Sequence, residues 1–103
     1  MELRKMLKVM IRLSGGKRKD KKPLVTLVLE TCREESILGA TVTQCQFGYG
    51  ETEYRSRALR SLKDLPVIIE IVDDPIAIQE LIPKLKKIIA EDGLITIEEV
   101  MAV

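Results

Sequence analysis

The chain has no histidine, no tryptophan and only three aromatic residues, Phe47, Tyr49 and Tyr54, in 103 positions. Without an imidazole it lacks the commonest general base and metal ligand. Two cysteines, Cys32 and Cys45, cannot replace that ligand as a zinc donor set, so no metal site is expected. They form no CxxC pair and read as free thiols rather than as a redox couple or a disulfide. No apolar run approaches the roughly 20 residues that cross a bilayer. The N-terminus, MELRKMLKVMIRL, alternates apolar and charged side chains instead of building the core of a signal peptide. A cytoplasmic protein is expected.

Charge of one sign is not in excess either. Seventeen Lys and Arg face 16 Asp and Glu, for a net charge of +1, which argues against a nucleic-acid partner. The distribution is uneven: residues 1–63 hold fourteen cations against seven acids, and residues 64–103 hold three against nine. A basic first part in a neutral chain suits a small anionic ligand. The length and the 46% hydrophobic, 32% charged composition fit one globular domain, residues 1–103.

What is present is strong periodicity. Met6 to Leu13 alternates, with Leu7, Val9, Ile11 and Leu13 on one face, and predicts a strand. Ser14-Gly15-Gly16 and the run Lys17-Arg18-Lys19-Asp20-Lys21-Lys22, five cations in six residues, predict a loop, since like charges repel in regular elements. Pro23 is suited to start a helix, Leu24, Leu27, Val28 and Cys32 supply its buried stripe, and Gly39 offers a stop. Ala40 to Phe47 predicts a second strand and Leu65 to Val72 a third. Asp73-Asp74-Pro75 is a helix start, and Ile78, Leu81, Ile82, Leu85, Ile88 and Ile89 form the apolar stripe that follows. Pro83 within it predicts a kink or restart, Gly93 a stop, and Leu94 to Val103 a last strand.

The order β-α-β-β-α-β predicts an α+β, ferredoxin-like fold: a four-stranded antiparallel sheet with two helices on one face. The other sheet face is expected to be apolar as well, because Met6, Met10, Ile68, Val72, Leu94 and Val100 point that way. Such a face predicts an oligomer.

The fold hosts many functions, so the residues must decide. RNA recognition on this topology needs aromatic platforms on the central strands, and the first and third strands hold none. The carboxylate pairs Asp73/Asp74 and Glu98/Glu99 are explained by a helix cap and by strand alternation, so no catalytic residue is assigned and no enzyme is expected. Anion binding remains. Gly48 and Gly50 allow close backbone approach on either side of Tyr49, and Arg55, Arg57 and Arg60 carry guanidinium groups that fit phosphate oxygens.

The strings LGATV (38–42), GYG (48–50), DLPVIIEIVD (64–73) and GLITIEEV (93–100) resemble the PII-like family known as domain of unknown function 190, an uncharacterised UPF family. The resemblance spans almost the whole chain. It implies a ferredoxin-like homotrimer in which the connector at about 48–64 corresponds to the T-loop that contacts partners. It also implies an adenine nucleotide (AMP, ADP or ATP) in clefts between subunits, with no obligatory cofactor. Carried over, the ligand-binding residues are Gly48, Tyr49 and Gly50 with Asp92 and Gly93. For phosphate the residues themselves offer Arg55 and Arg57, with Arg60 and, because the 14–22 loop can reach a neighbouring cleft, Lys17, Arg18 and Lys19 in reserve. Here Glu91-Asp92-Gly93 lacks the lysine that follows the PII loop, and Gln44-Cys45 replaces a basic residue and a glycine. The alternative is an accessory subunit that docks on a membrane transport protein, such as a fluoride channel, without a small ligand of its own. A hydrolase or metal-tolerance role would need a divalent ion, for which the chain offers no convergent ligands.

Overall fold

The computed structural model describes residues 1–45 and 65–103, together with the backbone of 48–49 and 53–54. Alternation in the first segment gives β1, Arg4–Ser14, the longest strand and one of the two central ones. Its odd-numbered side chains Val9, Ile11 and Leu13 are buried. The even-numbered ones pair across the sheet with Ile68, Glu70 and Val72 on one side and Leu94, Thr96, Glu98 and Val100 on the other.

The basic run is not an irregular loop. Arg18–Lys19 (β2) and Lys22–Pro23 (β3) pair as a small hairpin, with Asp20 and Lys21 at φ 50° and 69° in the turn between them. Its repulsion is offset by partners distant in sequence: Lys22 meets Glu30 at 3.2 Å and Lys17 meets Asp92 at 3.6 Å.

Helix α1, Leu24–Glu34, follows directly. Pro23 stands at its N-cap and cannot supply a side-chain acceptor, so the Leu24 N–H donates to the Lys17 carbonyl at 2.9 Å. Leu24, Val28 and Cys32 are buried and Leu27 half-buried, as the stripe requires. The helix stop is not Gly39. Ser36 takes the left-handed conformation at φ 57°, Ile37 N–H donates to Cys32 O, and Ser36 N–H donates to Arg33 O, which together form a Schellman turn three residues earlier.

Strand β4, Ala40–Gln44, is an edge strand, and Phe47, expected at its end, lies outside the described residues. The short pieces β5 (Gly48–Tyr49) and β6 (Glu53–Tyr54) pair with each other. Strand β7, Pro66–Asp73, buries Val67, Ile69 and Ile71, and α2, Pro75–Ile89, is capped by Asp74, whose carboxylate accepts from Ile76 N–H at 3.0 Å. The α2 stripe buries Ile78, Leu81, Leu85 and Ile89 against that sheet face. The helix is continuous through Pro83, which is exposed, so there is no restart. Strand β8, Gly93–Ala102, completes an antiparallel sheet of order β4-β7-β1-β8, the predicted ferredoxin-like arrangement.

The helices cover the centre of the sheet and leave its edges open. Val42 on β4, and Ile97 and Met101 on β8, lie on the helix side yet are 40%, 48% and 60% exposed. On the opposite face Met6 is buried, and Met10, Ile68, Val72 and Val100 are half-buried. These apolar residues surround an ion cluster, in which Lys8 Nζ lies 3.1 Å from Glu98 and 3.9 Å from Glu70.

Candidate ligand-binding site

Strand pairing sets where the loops meet. Leu13 stands opposite Gly93, Ser14 opposite Pro66, and Gln44 opposite Val67. The end of β1, the end of β4, the start of β7 and the start of β8 therefore form one row at one end of the sheet. Two hydrogen bonds close it: Gly15 N–H donates to Leu65 O at 2.9 Å and Cys45 N–H to Pro66 O at 2.8 Å. Cys45 and Leu65, the residues that flank the 46–64 connector, are thus tied to the sheet. The loop after β1 and the loop before β8 flank them.

The loop before β8 is held by Asp92 N–H, which donates to Ile89 O at 2.8 Å, and by Ala90 N–H, which donates to Lys86 O at 2.8 Å. The residue that turns left-handed is Ala90, at φ 48°, and Gly93 has no positive φ. Gly93 is needed for a different reason. A Cβ there would lie 2.7 Å from the Arg12 carbonyl oxygen, 3.1 Å from Ile89 Cγ2 and 3.2 Å from Leu13 Cβ. Only glycine lets β8 start this close to β1.

Among the expected site residues, Lys17, Asp92 and Gly93 are brought together: Lys17 Nζ is 3.6 Å from Asp92 Oδ1, with both side chains partly exposed. Lys19 Nζ instead donates to Lys87 O at 3.3 Å, where the last turn of α2 leaves carbonyls without helical partners. Arg18 folds back onto the Lys21 carbonyl. Gly48 and Tyr49 are described in backbone only, as the strand facing Glu53 and Tyr54. Gly50, Arg55, Arg57 and Arg60 lie outside the described residues.

Sequence reasoning missed two contributors. Ser14 accepts at its Oγ from Gly16 N–H (3.3 Å) and at its carbonyl from Lys17 N–H (3.2 Å), which shapes the loop that carries Lys17. Its place before two glycines is the signal that could have found it. The Leu65 carbonyl carries no signal in the sequence.

Between α2 and β8 runs a groove of about 340 Å³, lined mainly by Ile82, Ile89, Ile95 and Ile97, with Lys86 and Gly93 also present. Both cysteines are free thiols, and only Cys45 stands at this sheet end. Cys32 is on the buried face of α1, and burial pushes its thiol pKa up, the opposite of what a nucleophile needs. Among the described residues no group of three or more His, Cys, Asp or Glu side chains could hold a metal ion. No helix among them is long and apolar enough to cross a membrane.

A family model, DUF190 (Uncharacterized ACR, COG1993), matches residues 6–102. The UPF0166 protein of Aquifex aeolicus is 38% identical over 81 residues, 77% of this chain and 75% of its own. The UPF0166 protein MJ1524 of Methanocaldococcus jannaschii is 33% identical over 96 residues, 92% of this chain and 87% of its own. Among solved structures, the fold is similar to CPII, a nitrogen regulatory PII-like protein from Thiomonas intermedia K12. Its form bound to ADP, AMP and bicarbonate superposes with TM-score 0.74 at 12% identity over 100% of both chains. Its apo form gives 0.68 at 12%, over 98% of this chain and 95% of that one. At these identities the likeness is one of fold.

Proposed function

Since the chain belongs to the DUF190 family, we propose that it is a non-enzymatic, PII-like regulatory protein that binds an adenine nucleotide of the AMP, ADP or ATP class. Three copies assemble through the sheet face that carries Met6, Met10, Ile68, Val72 and Val100, and the ligand lies in the clefts between subunits. Gly48, Tyr49 and Gly50 receive the nucleoside end, and Arg55 and Arg57 receive phosphate, with Arg18, Lys19 and Arg60 in the same basic surround. Nucleotide occupancy then orders or releases the 48–64 connector, which signals to a protein partner. Ordering a segment through phosphate–arginine contacts is an established route for such switches.

One observation supports this reading above the others. Cys45 and Leu65, which flank the connector, and the loops after β1 and before β8 converge on a single end of the sheet, closed by the Gly15–Leu65 and Cys45–Pro66 hydrogen bonds. A ligand held there touches the connector's base directly. The related fold of CPII, in a form bound to ADP and AMP, supports the choice of ligand class.

Isothermal calorimetry with AMP, ADP and ATP tests the reading, together with light scattering for the assembly. Saturable binding below millimolar concentration, weakened when Arg55 and Arg57 are both replaced by alanine, is the expected result. A protein that takes up no nucleotide at millimolar concentration refutes the sensor function, and a monomer at micromolar concentration refutes the inter-subunit cleft.

A further inference from the structure

Residues 17–22 hold five cations, and their side chains are not interchangeable. Arg18 donates to the Lys21 carbonyl, Lys19 donates to Lys87 O at 3.3 Å, and Lys22 is shared by both oxygens of Glu30 at 3.2 and 3.3 Å. Lys21 occupies the hairpin turn at φ 69° and is exposed. Lys17 alone reaches the loop before β8, with its Nζ 3.6 Å from Asp92 Oδ1.

That loop reads Ala90-Glu91-Asp92-Gly93 and offers two carboxylates and no cation. An anion arriving at this end of the sheet meets repulsion there unless Lys17 turns toward it. The Lys17 main chain is fixed at both ends, because its N–H donates to Ser14 O at 3.2 Å and its carbonyl accepts from Leu24 N–H at 2.9 Å. Its four-carbon stem stays free to swing. The pair with Asp92 is long, and its side chains are 39% and 45% exposed. Water screens such a pair and holds it weakly, so a doubly charged phosphate competes with it effectively.

Building on the nucleotide reading above, we infer that Lys17 joins Arg55 and Arg57 as a phosphate-binding cation of this site and that Asp92 is its competitor rather than a ligand contact. When phosphate binds, the Lys17 ammonium leaves Asp92 for a phosphate oxygen. When phosphate departs, the carboxylate takes the ammonium back. Asp92 therefore lowers the affinity and keeps Lys17 at the site while it is empty.

The test is calorimetry on the full chain with ADP and, separately, with inorganic pyrophosphate, for wild type, Lys17→Met, Asp92→Asn and the double variant. Both positions are partly exposed, and thermal unfolding near the wild-type temperature confirms that each variant folds. Lys17→Met is expected to weaken both ligands by about tenfold, the scale of one charge-assisted contact. Asp92→Asn is expected to tighten them by about threefold, with most of that gain gone in the double variant. ADP affinity within twofold of wild type in Lys17→Met overturns the assignment and leaves the nucleotide reading standing. Weaker binding in Asp92→Asn overturns the competitor role. Lys17-dependent binding of pyrophosphate without binding of ADP supports the phosphate assignment and refutes the nucleotide reading. If neither ligand binds wild type, both fail.

Discussion

Two glycines on this chain predict opposite outcomes for the same substitution. An alanine at Gly93 brings its Cβ to 2.7 Å from the Arg12 carbonyl oxygen, about 0.7 Å inside ordinary contact. The oxygen belongs to a strand paired on both sides, and the other close atoms, on Ile89 and Leu13, are core. No flexible side chain can absorb the clash, so β8 must shift away from β1. Overpacking of this kind costs roughly 1–3 kcal/mol, against which the stiffer unfolded chain returns about 0.4–1 kcal/mol. The expected net loss is about 1–2 kcal/mol, or ~4–16 °C in Tm for a domain of this size. At Gly39 nothing lies within 4 Å of an added Cβ and φ is not positive, so only the unfolded-state term remains. Gly39→Ala is expected to stabilise by about 0.4–1 kcal/mol. Thermal unfolding of both variants at one protein concentration, without nucleotide, decides the matter. A Gly93→Ala protein at or above the wild-type Tm, or two variants shifted in the same direction, refutes the close-approach account.

Two further outcomes follow from single contacts. Asp73 is buried and accepts from Leu38 N–H at 2.9 Å and Asp74 N–H at 2.6 Å, so Asp73→Ala strands two donors and should cost about 1–3 kcal/mol, read as a lower urea midpoint at unchanged slope. An unmoved midpoint refutes that role. The Cys32 thiol, with its pKa raised above the ordinary 9.0 by burial, stays protonated in the folded chain at pH values where the unfolded chain ionises. The unfolded state then binds fewer protons, so stability falls as pH rises past about 9. Cys32→Ala should flatten that decline, and a thiol reagent should modify Cys45 in the native protein and Cys32 only after unfolding. Equal labelling of both native thiols contradicts the burial.

Much of the fold was legible because it rests on period. The alternation of Val9, Ile11 and Leu13 and the stripe of Ile78, Leu81, Leu85 and Ile89 place strand and helix where the structure has them. The helix ends were less legible. Gly39 and Gly93 look like stops, yet the left-handed residues are Ser36 and Ala90, each bonded back to a carbonyl of its own helix. The basic hairpin was hidden for a related reason: its repulsion is offset by Glu30 and Asp92 and by the Lys87 carbonyl, none of them neighbours in sequence. The site was half legible. Lys17, Asp92 and Gly93 are recognisable as candidates by residue type, but that Lys17 and Asp92 meet depends on the pairing of Leu13 with Gly93.

The two hydrogen bonds at the base of the connector have a consequence for how this family can change. Cys45 and Leu65 are held by main-chain bonds to Pro66 and Gly15, so the 46–64 segment is closed by partners it does not itself provide. The entropy of closing such a loop grows only with the logarithm of its length, and doubling the length costs roughly 0.6 kcal/mol. Insertions, deletions and wholesale replacement within the connector are therefore nearly free for the fold. Relatives can keep one scaffold while this segment varies in length and sequence.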